Sequence, residues 1–518
     1  MRWSYLPPLM VYMAAGVSGL TGIVGTFFVK DYLGLSAAFL AALGFWVGIP
    51  WALKMPLGHL VDLIWRWKGG LVYLGASLIA ASLLVMVGLI GHREAMTQIA
   101  SAETWYVVSM LLAPIGYVVQ DAVADAMTVE AVPTRDERGQ PIDPQTRKLM
   151  HTTMQTLGRV AIIGGTVFVA VINLYLFTGV ENLPQAEIAD IYERVYLLAL
   201  SIPVISVLGV MSASFFKRRE RRRLAALGVS RSNIADPSVE VTRPNWWILG
   251  GSLAFVLFTL AVGLGNFPHN EEIVFAGSFA IVVFLLARLT SELQPEVRTT
   301  LIGTAIVIFV FRATPSPGPG VTWWMIDELK FDQHFLAKLS LISSTLTLIG
   351  MFLFRRFMAE RSIRYVVGFL TAAGFVLALP ILAMYYGLHE WTAAHTGGIV
   401  DARFIALVDT ALESPLGQIS MIPMLAWIAN SAPAHLKATY FAVMASFTNL
   451  ALSLSQLGTK YLNEIFTVSR GVRDASGAVA TRADYGELGS LLVVQILIGL
   501  ALPFGAILFA RLTRFRSA

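Results

Sequence analysis

The apolar stretch between Trp105 and Pro133 carries Gln120, Asp121, Asp125 and Glu130 in the string QDAVADAMTVE. A charged side chain at the centre of a bilayer helix costs about 2.5 to 3.5 kcal/mol, so carboxylates there face a polar path, an opposite charge or a proton. Asp121 and Asp125 are four residues apart and share a helix face, whereas Glu130 lies about 140° round from Asp125 at 3.6 residues per turn. Two carboxylates so placed at low dielectric hold a proton more readily than either would alone. The chemistry open to the pair is proton or substrate coupling; the plainer alternative is an ion pair that holds a gate. Arg159 and Arg312 are the other charges set well inside apolar runs, and an anionic cargo would need such cations. Arg312 precedes Pro315, Pro317 and Pro319. A helix interrupted there frees backbone groups that a membrane tolerates only where they line a cavity or meet a partner. Arg312 could equally snorkel outward or bond those freed carbonyls.

The elements that must position these residues are membrane helices. The chain of 518 residues is 56% hydrophobic and 14% charged, with mean hydropathy +0.68, against roughly 25% charge in ordinary soluble domains. Apolar runs of the length that crosses a bilayer number about 14, and the first is expected to be a retained span, not a cleaved signal. The twelfth and thirteenth run over 401–430 and 434–465. With a cytoplasmic N-terminus, the loops on that side hold about 25 Lys and Arg against about 10 on the other, so both termini are expected in the cytoplasm. The basic run from Lys217 to Arg223 then reads as a topology anchor, with no nucleic-acid partner. The absence of cysteine excludes disulfides and thiolate metal sites. No H-E-x-x-H helix, phosphate loop or dinucleotide fingerprint is present, so no metal, no cofactor and no enzymatic activity are expected.

The chain also repeats itself. DYLGLSAAFLAAL from Asp31 to Leu43 matches DELKFDQHFLAKL from Asp327 to Leu339, with identities that include Asp31/Asp327, Phe39/Phe335 and Leu43/Leu339. This register makes the ninth span equivalent to the first. The expected organisation is a six-helix bundle over 1–216, a basic loop with two inserted helices over 217–298, and a second six-helix bundle over 299–518. Parallel halves of this kind are the major-facilitator plan, an all-α polytopic membrane fold. The inserted pair at 245–290 has no carboxylate or lysine deep in either span and is expected outside the transport path.

Lys54, Gly58 and Asp62 close the second span in PWALKMPLGHLVD, and their counterpart after the tenth, GMFLFRRFMAERSIR, carries Arg355 and Arg356. A small residue lets helices approach while charges clasp neighbouring helix ends, so these residues and Glu130 are candidates for gating. Gly16, Gly19, Gly22 and Gly25 recur at intervals of three in the first span, a spacing that suits close helix packing.

Four motifs in order carry a resemblance: W-x2-K-x3-G-x3-D from Trp51 to Asp62, D-x3-D-x4-E from Asp121 to Glu130, RATPS from Arg312 to Ser316, and the long string from Asp409 to Leu450. They resemble the folate-biopterin transporter family of the major facilitator superfamily, over roughly residues 15–215 and 299–465, with Met55 intervening before Pro56 as a departure. The resemblance implies facilitated or proton-coupled movement of folates and pterins, which are flat anions. Trp323 and Trp324 could stack such a ring or belong to an aromatic belt. The expectation is a monomeric inner (plasma) membrane transporter in which protons and a small anionic substrate are the partners and two bundles rock. The alternatives are a muropeptide-permease-like carrier of another amphipathic anion, and a non-transporting membrane factor for assembly or pigment handling on the same fold.

Overall fold

Short polar side chains decide where several helices begin. Ser101, Asp332, Ser362 and Asp401 each accept a hydrogen bond from the backbone N–H three residues on, those of Thr104, Phe335, Tyr365 and Phe404, satisfying donors that the first helical turn leaves free. The computed structural model describes residues 3–52, 54–64, 67–133, 135–136, 140–227, 244, 246–265, 267–291, 294–417, 419, 437–473 and 479–513. The earlier helices are α1 (Leu6–Val17), α2 (Gly22–Tyr32), α3 (Ala37–Ala52), α4 (Lys54–Leu63), α5 (Lys68–Gly91), α6 (Arg93–Thr97), α7 (Ala102–Ala131), α8 (Pro144–Leu176), α9 (Gln185–Ala199) and α10 (Ser201–Ala226). The inserted pair is α11 (Trp246–Leu264) and α12 (Asn270–Thr290). Then come α13 (Pro295–Arg312), α14 (Gly320–Asp327), α15 (Gln333–Leu353), α16 (Arg355–Glu360), α17 (Ile363–Tyr385), α18 (Leu388–His395), α19 (Ala402–Glu413), α20 (Lys437–Ile465) and α21 (Leu488–Leu512). A short antiparallel pair, β1 (Val472–Arg473) and β2 (Val479–Thr481), lies between the last two helices.

Among the described residues ten helices are long and apolar enough to cross a membrane, and Leu249–Leu264 is a shorter apolar one. The end of the expected twelfth span and the start of the thirteenth lie outside the described residues. Contacts divide the chain into two compact units: 1–21, 56–172 and 189–249 form one, and 22–55, 173–188 and 250–518 the other.

In the first unit, glycines set the helix crossings. A Cβ on Gly75 of α5 would lie 2.6 Å from the Gly116 carbonyl oxygen of α7, and the reverse contact is equally short. Gly16 of α1 stands in the same way against Ile162 and Gly165 of α8, whereas Gly19 and Gly22 have open space. Only the first of these three regularly spaced glycines therefore makes the close approach that the spacing suggested. Gly58 is likewise open. We expect Gly75→Val to lower stability by about 1 to 3 kcal/mol, because a backbone carbonyl cannot yield; Gly58→Ala should leave it unchanged or raise it by up to about 1 kcal/mol. Thermal unfolding of the detergent-solubilised protein checks this, and equal effects at the two positions would contradict the packing argument.

In the second unit, α3 lies along α20 through Gly44 against Gln456 and Gly48 against Ser453. The inserted helix α12 packs on this pair: Val274 shares a core with Phe45, Ile49, Leu450 and Leu457, and Lys460 of α20 meets Glu271 at 3.4 Å and Glu272 at 3.7 Å. The repeat is visible as repeated capping. Ser36 accepts from Phe39 N at 3.1 Å before α3, and Asp332 accepts from Phe335 N at 2.7 Å before α15. The proline run breaks the ninth span as expected, with Gly318 at φ +80° in the gap between α13 and α14. Side chains of α20 and α21 take the freed groups. Ser316 N donates to Thr459 Oγ1, while Ser455, Gln495 and Asn463 donate to the carbonyls of Thr314, Pro315 and Pro317.

Candidate functional site

The Gly16/Gly165 crossing brings α8 against α1 and so decides what surrounds Tyr12, one turn before Gly16. Tyr12 is buried and donates its phenolic hydroxyl to Asp125 Oδ1 at 2.5 Å. Gly158, beside Arg159, lies against the same ring: a Cβ there would sit 2.8 Å from a ring carbon. The charges of Asp125, Asp121 and Arg159 all act on the Tyr12 phenol. Three helices of one unit thus gather two carboxylates, a guanidinium and a phenol inside membrane spans. Gln120 fixes the rotation of α7 from its other side. Its amide donates to the Val72 carbonyl of α5 at 3.3 Å and accepts from Ser206 of α10 at 2.9 Å, which leaves Asp121 and Asp125 to the α1 side.

Asp121 and Asp125, nominated by their spacing, and Arg159, nominated as a charge inside an apolar run, therefore come together. Tyr12 did not figure in the sequence reading, although a tyrosine inside an apolar run needs a partner for its hydroxyl and signals one. A double-mutant cycle with Asp121→Asn and Arg159→Gln should give a coupling of about 0.5 to 3 kcal/mol in thermal stability. Strictly additive losses would place the two charges in separate roles.

The remaining nominated residues fall elsewhere. Glu130, at the end of α7, meets Lys68 Nζ at 2.6 Å and Lys217 Nζ at 3.0 Å, tying the start of α5 and the end of α7 to α10. Arg312 belongs to the second unit and donates through Nε to the Thr448 carbonyl of α20 at 3.2 Å, so it bonds a backbone oxygen outside the proline break. Trp323 and Trp324 are buried in an apolar cluster with Phe331, Phe335 and Leu488, and the Arg470 guanidinium stacks over the Trp323 ring at 5.0 Å. Lys54 is half-buried, and Arg356 is exposed and pairs with Glu360 on its own helix at 2.9 Å. The side chains of Asp62 and Arg355 lie outside the described residues.

A second charged cluster, also absent from the sequence reading, sits in the second unit. Lys30 is 5% exposed and meets Asp327 Oδ1 at 2.5 Å and Asp31 Oδ1 at 3.4 Å. Asp327 Oδ2 accepts from Tyr485 Oη at 2.6 Å and from Gly471 N at 3.0 Å. Burial and the hydrogen bond to Asp327 push the Tyr485 phenol far up, keeping it a donor. Arg470, buried beside it, donates to the Leu35 carbonyl at 2.9 Å. The segment around Asp31 and its repeat around Asp327 thus touch each other, and the strand-bearing loop before α21 straps both.

Comparison with known proteins adds the following. The profile of the BT1 family matches residues 247–515. The chain is similar to a folate-biopterin transporter of Synechocystis sp. (strain ATCC 27184 / PCC 6803 / Kazusa), 23% identical over 463 residues, which are 88% of this chain and 73% of that protein. It is also similar to folate transporter 2 of Plasmodium falciparum (isolate 3D7), 24% identical over 170 residues, 33% of this chain and 36% of that one. In fold it matches a POT family transporter solved in complex with 5-aminolevulinic acid, with TM-score 0.59, 12% identity and coverage of 98% and 96% of the two chains. The architecture is therefore the major facilitator fold.

Proposed function

The chain belongs to the BT1 family, and from that premise we propose that it is a secondary active transporter of folate- or pterin-like anions across the inner membrane, coupled to protons and working by alternating access. The observation that carries this reading is the gathering of Tyr12, Asp121, Asp125 and Arg159 within membrane spans. Ionised groups there are costly unless they serve a path, a partner or a proton. In the proposed cycle Asp125 takes the proton, and the Tyr12 hydroxyl holds the carboxyl in place and marks its protonation by turning from it. Arg159 balances the carboxylates when they are ionised and is released to an anionic substrate when they are neutral. This exchange of partners links proton and substrate, because a ligand moves an equilibrium only by its different affinity for the two states.

Glu130 with Lys68 and Lys217 acts in this reading as a gate clasp at the cytoplasmic ends of the helices, and the Lys30–Asp327 cluster as its external counterpart. Both termini lie in the cytoplasm and the protein works as a monomer. Uptake into proteoliposomes from a panel of folates, pterins and muropeptides, with and without a proton gradient, tests the proposal. Gradient-dependent accumulation of a folate or pterin is expected. Accumulation of muropeptides alone would transfer the protein to the rival class of amphipathic anions, and no uptake of any compound would favour a non-transporting role.

A further inference from the structure

The repeat that equates the ninth span with the first also equates the twelfth with the fourth, so α19 is the counterpart of α7. Asp121 and Asp125 on α7 are four residues apart, and so are Asp409 and Glu413 on α19. Asp409 is 7% exposed, and among the described residues its Oδ1 has no hydrogen-bond partner. Glu413, one turn on and exposed, is the charge that acts on it. The charged and titratable groups on the helices packed against α19 are His334 and Lys338 on α15, Arg364, Tyr365 and Tyr385 on α17, and His389, Glu390 and His395 on α18. Among the described residues none of them makes an ion pair or hydrogen bond with Asp409.

Glu413 and Thr410 line a cavity of about 390 Å³ whose other walls are Leu339, Ser340, Ser343 and Thr347 of α15 and the turn Ser414 to Gly417. The lining is rich in hydroxyls, but two of these are already committed: Thr347 donates to the Ser414 carbonyl at 2.9 Å, and Ser414 donates to the Thr410 carbonyl. A carboxylate buried at the start of the expected twelfth span, with an open acceptor and a second carboxylate one turn on, is costly, and it is relieved by a proton. Asp409 does not itself line the cavity, so Glu413, which does and stands one turn from it, is the carboxylate through which a proton from the cavity would pass.

We propose that Asp409, served by Glu413, is a second proton-carrying site of this protein, on the helix of the later half that corresponds to the one bearing Asp121 and Asp125 but nearer its start. The proposal rests on the transport reading for its purpose but not for its test. Infrared difference spectra of the full-length protein in nanodiscs, titrated in pH, report protonated carboxyl groups directly. The wild type should show a carboxylic-acid band that Asp409→Asn removes and Asp125→Asn keeps. Asp409→Glu should shift that band without abolishing it, which guards against loss of the band through misfolding. Glu413→Gln should slow proton exchange into the band while leaving it present.

An unchanged band in both Asp409→Asn and Asp409→Glu would overturn the proposal. So would a band that vanishes when sodium replaces choline at constant pH, because the site would then be one for a metal cation. Failure of the wild type to accumulate any folate or pterin would defeat the transport reading alone, and the band would still decide the proton site.

Discussion

Asp327→Asn should destabilise the protein by about 3 kcal/mol or more, the cost of leaving one partner of a buried ion pair without the other. Lys30 is the more deeply buried partner, and among the described residues its remaining ion-pair partner is Asp31 at 3.4 Å. Asp327 also accepts from Tyr485 and from the Gly471 backbone. A carboxamide offers one acceptor oxygen where the carboxylate offers two, so the substitution loosens the strap as well as the pair. Replacing both charges with apolar groups, Lys30→Met with Asp327→Leu, should recover part of the loss, since a buried pair returns little beyond the desolvation it required. Thermal unfolding of the purified variants in one detergent measures both. If Asp327→Asn unfolds at the wild-type temperature, the cluster does not hold this end together.

Asp125→Asn should bring gradient-driven accumulation down to the level of protein-free vesicles, because an amide can neither gain nor lose the coupling proton. Substrate exchange should persist, since exchange need not cycle the proton. Tyr12→Phe removes a hydrogen bond to a charged acceptor, worth about 1.5 to 3 kcal/mol, and should impair accumulation less severely. Undiminished accumulation by Asp125→Asn would remove this carboxylate from the mechanism and leave Tyr12 as a packing residue with a convenient acceptor.

The sequence was most informative where one helix or two adjacent helices decide the outcome. The shared face of Asp121 and Asp125 follows from helical periodicity. The break after Arg312 follows from three prolines, and the repeat around Asp31 and Asp327 returns as equivalent caps before α3 and α15. Contacts between distant segments were not legible. Lys30 and Asp327 meet across more than half the length of the chain, and no periodicity reports such a pairing. Tyr12 escaped for a related reason: one tyrosine in an apolar run satisfies the pattern for packing as well as the pattern for a polar site, and only its meeting with Asp125 of α7 tells them apart. The stacking role considered for Trp323 meets a ring already faced by Arg470, a residue that spacing gave no reason to bring there.

The interrupted ninth span carries a consequence for how the protein is made. Its exposed carbonyls find partners on α20 and α21, with Gln495 standing 180 residues beyond Pro315. Synthesis at about 5 to 20 residues per second places a delay on the order of ten seconds or more between the emergence of the break and the emergence of its last partner. During that interval the segment cannot rest in lipid without unmet backbone groups, each costing several kcal/mol. It must be held at the insertion machinery or shielded by a chaperone until the C-terminal helices arrive. Three of the freed groups are met once α20 arrives, and a chain that stops short of α21 would leave the Pro315 carbonyl without its Gln495 partner.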